Sequence, residues 1–340
     1  MTALPPIQRF TTRSGIRIYR IPVEAFPNFL IVYCYVLLEA GEPMLIDTGS
    51  GLGVSTDQLL AGIASVRDDF GEALALTDIR RILITHGHID HFGGVATLQE
   101  LTGAQVAIHA LDRRILTNNE ERVVIATKDL KVYLERAGVK PSQREQMLQM
   151  YGFTKKHLRS VKVDFPLAED TPLDGLRFVH TPGHCSGQVC IIVDEVMITA
   201  DHILARITPH QAPESITHST GLGHYLDSLA KVEQIDGIEL GMGGHEEPIP
   251  DIYQRIPVIR ASHLRKLDRI LDILRAEERP ITISAISKHL YPDRHGYDIL
   301  LALEETGAHV EYLYHHGMLG IGNLEEVERE DNPALLYGLA

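Results

Sequence analysis

The stretch Thr85–Gly94, THGHIDHFGG, puts four side chains able to hold a metal ion into six residues: His86, His88, Asp90 and His91. Imidazole and carboxylate are ligands that zinc and similar ions accept. Residues two apart on an extended segment face the same way, so His86 and His88 can share one ion. Asp90 and His91 stand just beyond and can reach a second. The apolar run Ile82–Ile84 leads in, and Gly93 and Gly94 lead out. That pattern predicts a strand opening into a loop, then a helix over Val95–Leu101. The competing reading is a polar loop with ordinary hydrogen-bonded histidines. A lone histidine would favour it; HxHxDH between a strand and a glycine pair does not.

Three later pieces repeat the design of strand, short turn, ligand. His184 lies in TPGHCSGQ, after a strand ending at His180; Asp201 ends the strand MITA; His245 follows IELGM. Asp47 ends MLID and opens a glycine-rich turn, DTG. Each would stand at one edge of a sheet. Cys185, beside His184, invites a nucleophilic reading, but a small packed residue is the commoner role for such a side chain. His202 and His210 suit contact with substrate and simple flanking of the site equally well.

The elements that position these residues follow from pattern. Residues 16–47 read as strands (IRIYRI, FLIVYCYVLLE, MLID), Thr56–Asp69 as a helix, and QVAIH as a short strand. A helical section over about 111–159 is broken at Gly138–Pro141. Strands return at 176–201, a helix at Tyr225–Ile235 and a strand at Ile238–Met242. Strands of period 2 interleaved with helices predict a layered α/β domain to about residue 255.

Composition narrows the function classes. Hydrophobic residues make up 44% of the 340, as in a soluble globular chain with room for one large and one small domain. No apolar run reaches the length of a bilayer span. The N-terminal MTALPPIQRF lacks the order of a signal peptide, and three cysteines, Cys34, Cys185 and Cys190, make no disulfide framework. A cytoplasmic protein is expected. Its net charge of −14 argues against general binding to nucleic acid or anionic membrane.

Taken together, LIDTG, THGHIDH, TPGH, the strand-ending Asp201 and GGHE, in that order, resemble the metallo-β-lactamase superfamily over about residues 16–250. The resemblance implies a four-layer αβ/βα sandwich with two divalent ions at one edge. His86, His88 and His184 would hold the first ion, and Asp90, His91 and His245 the second. Asp201 would bridge both, with Asp47 orienting ligands by hydrogen bonds. The ions would be zinc, with iron and manganese compatible with the same donors. A hydroxide held between them would attack the substrate, with Asp90 and Asp47 counted among the catalytic residues. No cysteine stands at the matching ligand positions, which differs from the β-lactamases, so antibiotic hydrolysis is not expected. Electron-transfer relatives replace a histidine of the first motif with glutamate, and this chain keeps His88.

Two regions fall outside that pattern. Asp112–Lys162 carries 12 Lys or Arg against 6 Asp or Glu, a net of +6 in an acidic chain, with a Met147, Met150, Tyr151, Phe153 cluster. It reads as an insertion over about 111–160 within a catalytic domain of 1–257. It would be a lid over an anionic substrate, a dimer contact or an outside decoration. Residues 258–340 carry three helical patterns, Arg260–Ala276, Ile281–Leu290 and Tyr297–Thr306, then a strand-like Ala308–Tyr314, a turn at His316–Gly317 and MLGI. They resemble the winged-helix-like module attached to some glyoxalase II-like and RNA-cleaving relatives in this superfamily. The third helix carries Asp298, Glu304 and Glu305 and no basic residue, so a packing or substrate-wall role is expected over nucleic-acid binding. The expected function is a dinuclear hydrolase of a thioester or related acyl ester, acting on a small anionic acyl substrate. A phosphodiesterase or ribonuclease on the same scaffold, and a non-catalytic binding protein that keeps the fold, are the rivals.

Overall fold

A computed structural model describes residues 4–27, 29–155 and 158–340, with the side chains of 153–155 left out. Seven strands form one sheet in sequence order: β1 (Gln8–Thr11), β2 (Arg17–Phe26), β3 (Leu30–Leu38), β4 (Met44–Ile46), β5 (Arg81–Ile84), β6 (Gln105–Ile108) and β7 (Phe165–Pro166). Pairing is antiparallel from β1 to β4 and parallel from β4 to β7. Four more strands, β8 (Arg177–His180), β9 (Val189–Val193), β10 (Val196–Ala200) and β11 (Leu240–Gly243), form a second sheet in the order β11-β10-β9-β8. There β10 and β11 run parallel, while β9 is antiparallel to both β8 and β10.

Side-chain alternation divides the core. Ile18, Tyr35, Leu37 and Ile46 of the first sheet share one buried cluster with Phe178, Ile191 and Ile198 of the second. The opposite face of β2, with Tyr19, Ile21 and Val23, packs on helices α1 (Ser55–Asp68) and, after the short α2 (Ile89–Phe92), α3 (Val95–Thr102). Leu59, Ile63 and Val66 recur at helical spacing to give α1 its apolar face. This is the sandwich of sheets and helices expected from the sequence. It also sets the site edge. In open α/β sheets ligands gather outside the carboxyl ends of strands. The parallel pairs β4/β5 and β10/β11 direct their carboxyl ends the same way within each sheet.

The remaining helices are α4 (Arg113–Thr117), α5 (Asn119–Arg136), α6 (Pro141–Lys155), α7 (Leu222–Glu233), α8 (Ile252–Glu277), α9 (Ile283–Leu290), α10 (Asp298–His315) and α11 (Leu324–Arg329). The last two strands, β12 (Leu319–Ile321) and β13 (Tyr337–Leu339), pair antiparallel. No helix among the described residues is long and apolar enough to cross a membrane.

The chain divides into two compact units that are not contiguous in sequence. The first comprises 1–120, 158–209 and 228–256, and the second comprises 121–157, 210–227 and 257–340. The last break between the units, at 256/257, and the expected boundary at 257/258 both lie inside α8, where Pro257 gives up one backbone hydrogen bond without ending the helix. Most of the basic insertion belongs to the second unit, together with the C-terminal residues. There the Tyr133 hydroxyl donates to the Leu303 carbonyl at 2.6 Å, and the Ser284 N–H to Ala137 O at 2.8 Å. Met147 is buried; the Phe153 side chain lies outside the described residues. Residues 308–314, expected as a strand, continue α10 instead. Leu303, Val310 and Leu313 are buried along it, a helical spacing. Consequently β12 pairs with β13, beyond α11.

The approach of α1 to β2 is testable. A Cβ on Gly62 would collide with Cγ2 of the fully buried Ile21. Overpacking costs about 1–3 kcal/mol, and the better helix propensity of alanine returns about 1 kcal/mol. Gly62→Ala should lower the denaturation midpoint, and Gly62→Val should lower it further. A higher midpoint for both in urea titrations would contradict this packing.

Candidate metal centre

The seven residues singled out as ligands come together in the first unit, each delivered by the end of a strand or the loop after it. His86 and His88 follow β5, with Asp90 and His91 on α2; His184 follows β8, Asp201 follows β10, and His245 follows β11. Their donor atoms form overlapping groups: His86, His88 and His184; His86, His91 and Asp201; Asp90, His91 and His245. The atoms within each group all lie within 4.8 Å of one another. His86 Nε2 stands 3.0 Å from His88 Nδ1. Asp201 faces both sides: Oδ1 is 3.4 Å from His91 Nε2, and Oδ2 is 3.6 Å from His184 Nε2 and 3.3 Å from His245 Nε2. His245 Nε2 is also 3.3 Å from Asp90 Oδ2.

The outer nitrogens are held so that each ring, once neutral, leaves its lone pair on one of these inner atoms. Asp47 accepts the Thr85 N–H on Oδ1 and the Thr85 hydroxyl on Oδ2, each at 2.8 Å. The same Oδ2 accepts from His91 Nδ1 at 2.8 Å. With its proton given to Asp47, the Thr85 hydroxyl accepts from His86 Nδ1, 3.1 Å away. Thus one carboxylate sets the tautomers of two imidazoles, one directly and one through Thr85. His245 Nδ1 donates to the Ile31 carbonyl at 2.7 Å, which likewise leaves its Nε2 facing the cluster. Ligand histidines are ordinarily oriented in this way. His91 Nε2 and Asp201 Oδ1 are buried and, although 3.4 Å apart, make no well-formed hydrogen bond among the described residues. A buried polar atom left so is costly in a purely structural cluster. A cation between the imidazole and carboxylate groups would satisfy both.

Electrostatics agree. Burial pushes His86 and His88 well below the usual imidazole range, which keeps their lone pairs available. Burial also opposes charge on His91 and His245, but nearby carboxylates, Asp201 first, outweigh it; His91 is held well up and His245 at about 10. Asp90 and Asp201 are correspondingly held down against burial, chiefly by His91 for the first and His245 for the second, with Asp90 at about 2. Two protons thus neutralise two carboxylates in the metal-free chain, where cations would otherwise stand.

The flanking candidates take roles outside the cluster. Cys185 is buried, its thiol is pushed well up by burial, and Sγ donates to Asp112 Oδ2 at 3.3 Å; it is a packed donor. His202 is fully buried and burial pushes it down to about 3, so it is a poor proton carrier near neutral pH. His210 belongs to the second unit, with Nε2 3.2 Å from Glu304. A further cluster there, His263, Glu305 and His309, has metal-like spacing. However, Lys266 Nζ occupies Glu305 Oε1 at 2.5 Å and His263 Nδ1 meets His309 Nε2 at 3.1 Å. The ammonium already balances the carboxylate, so this is a polar bridge between α8 and α10. Sequence pattern missed Thr85, whose signal was its place directly before HxHxDH. It also missed Ile31, which acts through its carbonyl and offered none.

Comparison with known proteins places the chain. The family model described as "Metallo-beta-lactamase superfamily" matches residues 27–274. A Bacillus subtilis protein named "Probable metallo-hydrolase YqjP" is 24% identical over 315 residues, 89% of this chain and 93% of its own length. An "Atrochrysone carboxyl ACP thioesterase" of Aspergillus chevalieri is 25% identical over 278 residues, 80% of this chain and 69% of its own. Among solved structures, the metallo-beta-lactamase family protein TTHA1429 of Thermus thermophilus superposes with a TM-score of 0.75 at 26% identity, covering 95% of this chain and 98% of that one. A family model that spans most of the chain, on a sandwich whose site edge gathers these ligands in this order, leads to one conclusion: the protein belongs to the metallo-β-lactamase superfamily.

Proposed function

We propose that the chain is a hydrolase of acyl thioesters or related acyl esters that works with two divalent ions of the zinc type. The observation that carries this reading is the gathering of seven side chains, six buried and His88 half-buried, into overlapping groups of metal-ligand spacing, with His91 Nε2 and Asp201 Oδ1 turned inward toward each other. His86, His88 and His184 would hold one ion, Asp90, His91 and His245 the other, with Asp201 between them. When bound, such ions activate a water near neutral pH and stabilise a developing oxyanion. The chain's own contribution is to hold the ligands. Asp47 and Thr85 fix His86 and His91, and the Ile31 carbonyl fixes His245.

Two features favour a thioester. The thiol of Cys185 is buried, protonated and committed to Asp112, so it is not placed as a covalent nucleophile. Among the described residues of the cluster, the titratable members are ligand candidates or supports, and His202 is held neutral. A thiolate leaves without assistance far more readily than an amine, since a thiol has a pKa of about 8.5. Relatives at 23–26% identity are named as acyl carrier protein thioesterases. With two divalent ions against the carboxylates of Asp90 and Asp201, the site would be positive and would draw an anionic acyl substrate.

Metal analysis of the purified chain should approach two ions, and His86→Ala or Asp201→Ala should lower turnover by more than about 100-fold with the circular dichroism spectrum kept. Full activity in stripped protein would sink the reading. A substrate panel should release free thiol from acyl thioesters; turnover confined to phosphodiesters or RNA would replace this function with the nuclease one. Metal uptake should also release protons. His245, held at about 10, is charged at pH 7 in the metal-free chain, and the carboxylates around His91 favour its charged form in the same way. Each must lose one proton to bind, so calorimetry in buffers of different ionisation enthalpy should report about two protons per chain. The effect should fade as the pH rises through about 10, where His245 is already neutral. Proton-neutral binding at pH 7 would contradict the arrangement.

A further inference from the structure

Asp112 precedes α4 and stands outside the ligand set, yet it is 1% exposed. Its carboxylate joins two loops. Oδ2 accepts the Gly87 N–H at 2.8 Å and the Cys185 Sγ–H at 3.3 Å, and Oδ1 accepts the Gly187 N–H at 3.0 Å. Gly87 sits between His86 and His88, and Cys185 follows His184 directly. A single buried side chain therefore touches both stretches that carry the three ligands proposed for the first ion.

The local sequence is shaped around this contact. A Cβ on Gly187 would lie 2.6 Å from Asp112 Cγ and 2.8 Å from its Cβ. A Cβ on Gly87 would collide with Ile115 Cδ1 and come within 3.2 Å of Asp112 Oδ2. Neither glycine has a positive φ, so turn geometry does not require them. Close approach to Asp112 and Ile115 does. The glycine of THGH and that of HCSG thus answer to the same carboxylate environment, a hundred residues apart.

We propose that Asp112 is a positioning residue that fixes the His86–His88 loop against the His184 loop, and so sets the geometry and affinity of the first ion site. The inference rests on the metal-centre reading above. Asp112 acts through peptide N–H groups and a thiol, never on the ion itself. Asparagine cannot replace it: whichever way the amide turns, its NH2 faces a donor, with either Gly187 N–H or the Gly87 and Cys185 pair left opposing it.

The test uses the full chain loaded with cobalt(II), whose visible bands report ligand geometry, and competition titrations that report affinity. Asp112→Asn and Asp112→Ala should shift those bands and weaken one of two ions by about 10- to 100-fold, leaving the other near wild type. Gly187→Ala, which keeps the carboxylate but displaces the loop, should do the same. Cys185→Ala should give a smaller effect in the same direction, partly restored in Cys185→Ser, which keeps a donor. If Asp112 variants fail to fold, the Gly187 and Cys185 series decides. Two ions bound with wild-type spectrum and affinity in folded Asp112→Asn, or in both Gly187→Ala and Cys185→Ala, would overturn the proposal. A wild-type chain that binds no ion would instead overturn the metal-centre reading, which is a different failure.

Discussion

The site depends on a buried carboxylate that is not itself a ligand. Asp47 lies at the end of β4, 1% exposed, and receives three hydrogen bonds from Thr85 and His91. In a low-dielectric interior such bonds are strong and an unmatched donor is expensive. Asp47 decides which nitrogen of His91 carries the proton and, through the Thr85 hydroxyl, which nitrogen of His86 does. With either ring in the other tautomer, an N–H would face the centre of the cluster and oppose a cation. A choice made on the outer edge of the ring controls the chemistry available on the inner edge.

The fold makes this hub possible by bringing together ends that are distant in sequence. β4 and β5 are neighbours and run parallel, so Asp47 and Thr85 leave the sheet side by side. β10 and β11 do the same for Asp201 and His245 in the second sheet. The two sheets share one apolar core, which fixes their separation and hence the span between ligands. Main-chain bonds then close the edge: Thr48 N–H to His91 O at 2.7 Å, Tyr33 N–H to Gly244 O at 2.8 Å and Gly244 N–H to Ala200 O at 2.8 Å. Packing of apolar side chains far from the site is thus what holds imidazole nitrogens a few ångströms apart.

Much of this was legible because the ligands follow a local rule. Each stands just after an apolar run, and THGHIDH packs four of them where backbone periodicity alone predicts shared facing. What the sequence hid was whatever depends on non-local partners. Asp112 bonds backbone groups, which leave no side-chain pattern to read. Residues 308–314, AHVEYLY, carry the β-branched and aromatic content of a strand, yet Val310 and Leu313 complete an apolar helical face begun by Leu300 and Leu303. Tertiary burial overrode propensity there. Segments 121–157 and 210–227 join the C-terminal residues through contacts such as Tyr133 with Leu303 that no local window contains.

Three residues beside the centre hold a backbone shape that side chains resist. Asp47, Ala200 and Glu246 have φ values of 59°, 45° and 61°, and they occupy, precede and follow functional positions. Each such residue costs on the order of 1–2 kcal/mol relative to an unstrained one. The loops therefore hold this shape against a backbone cost that the surrounding hydrogen bonds and packing must offset. Glycine or asparagine at 200 or 246 would lower that cost and leave the loop less tightly defined.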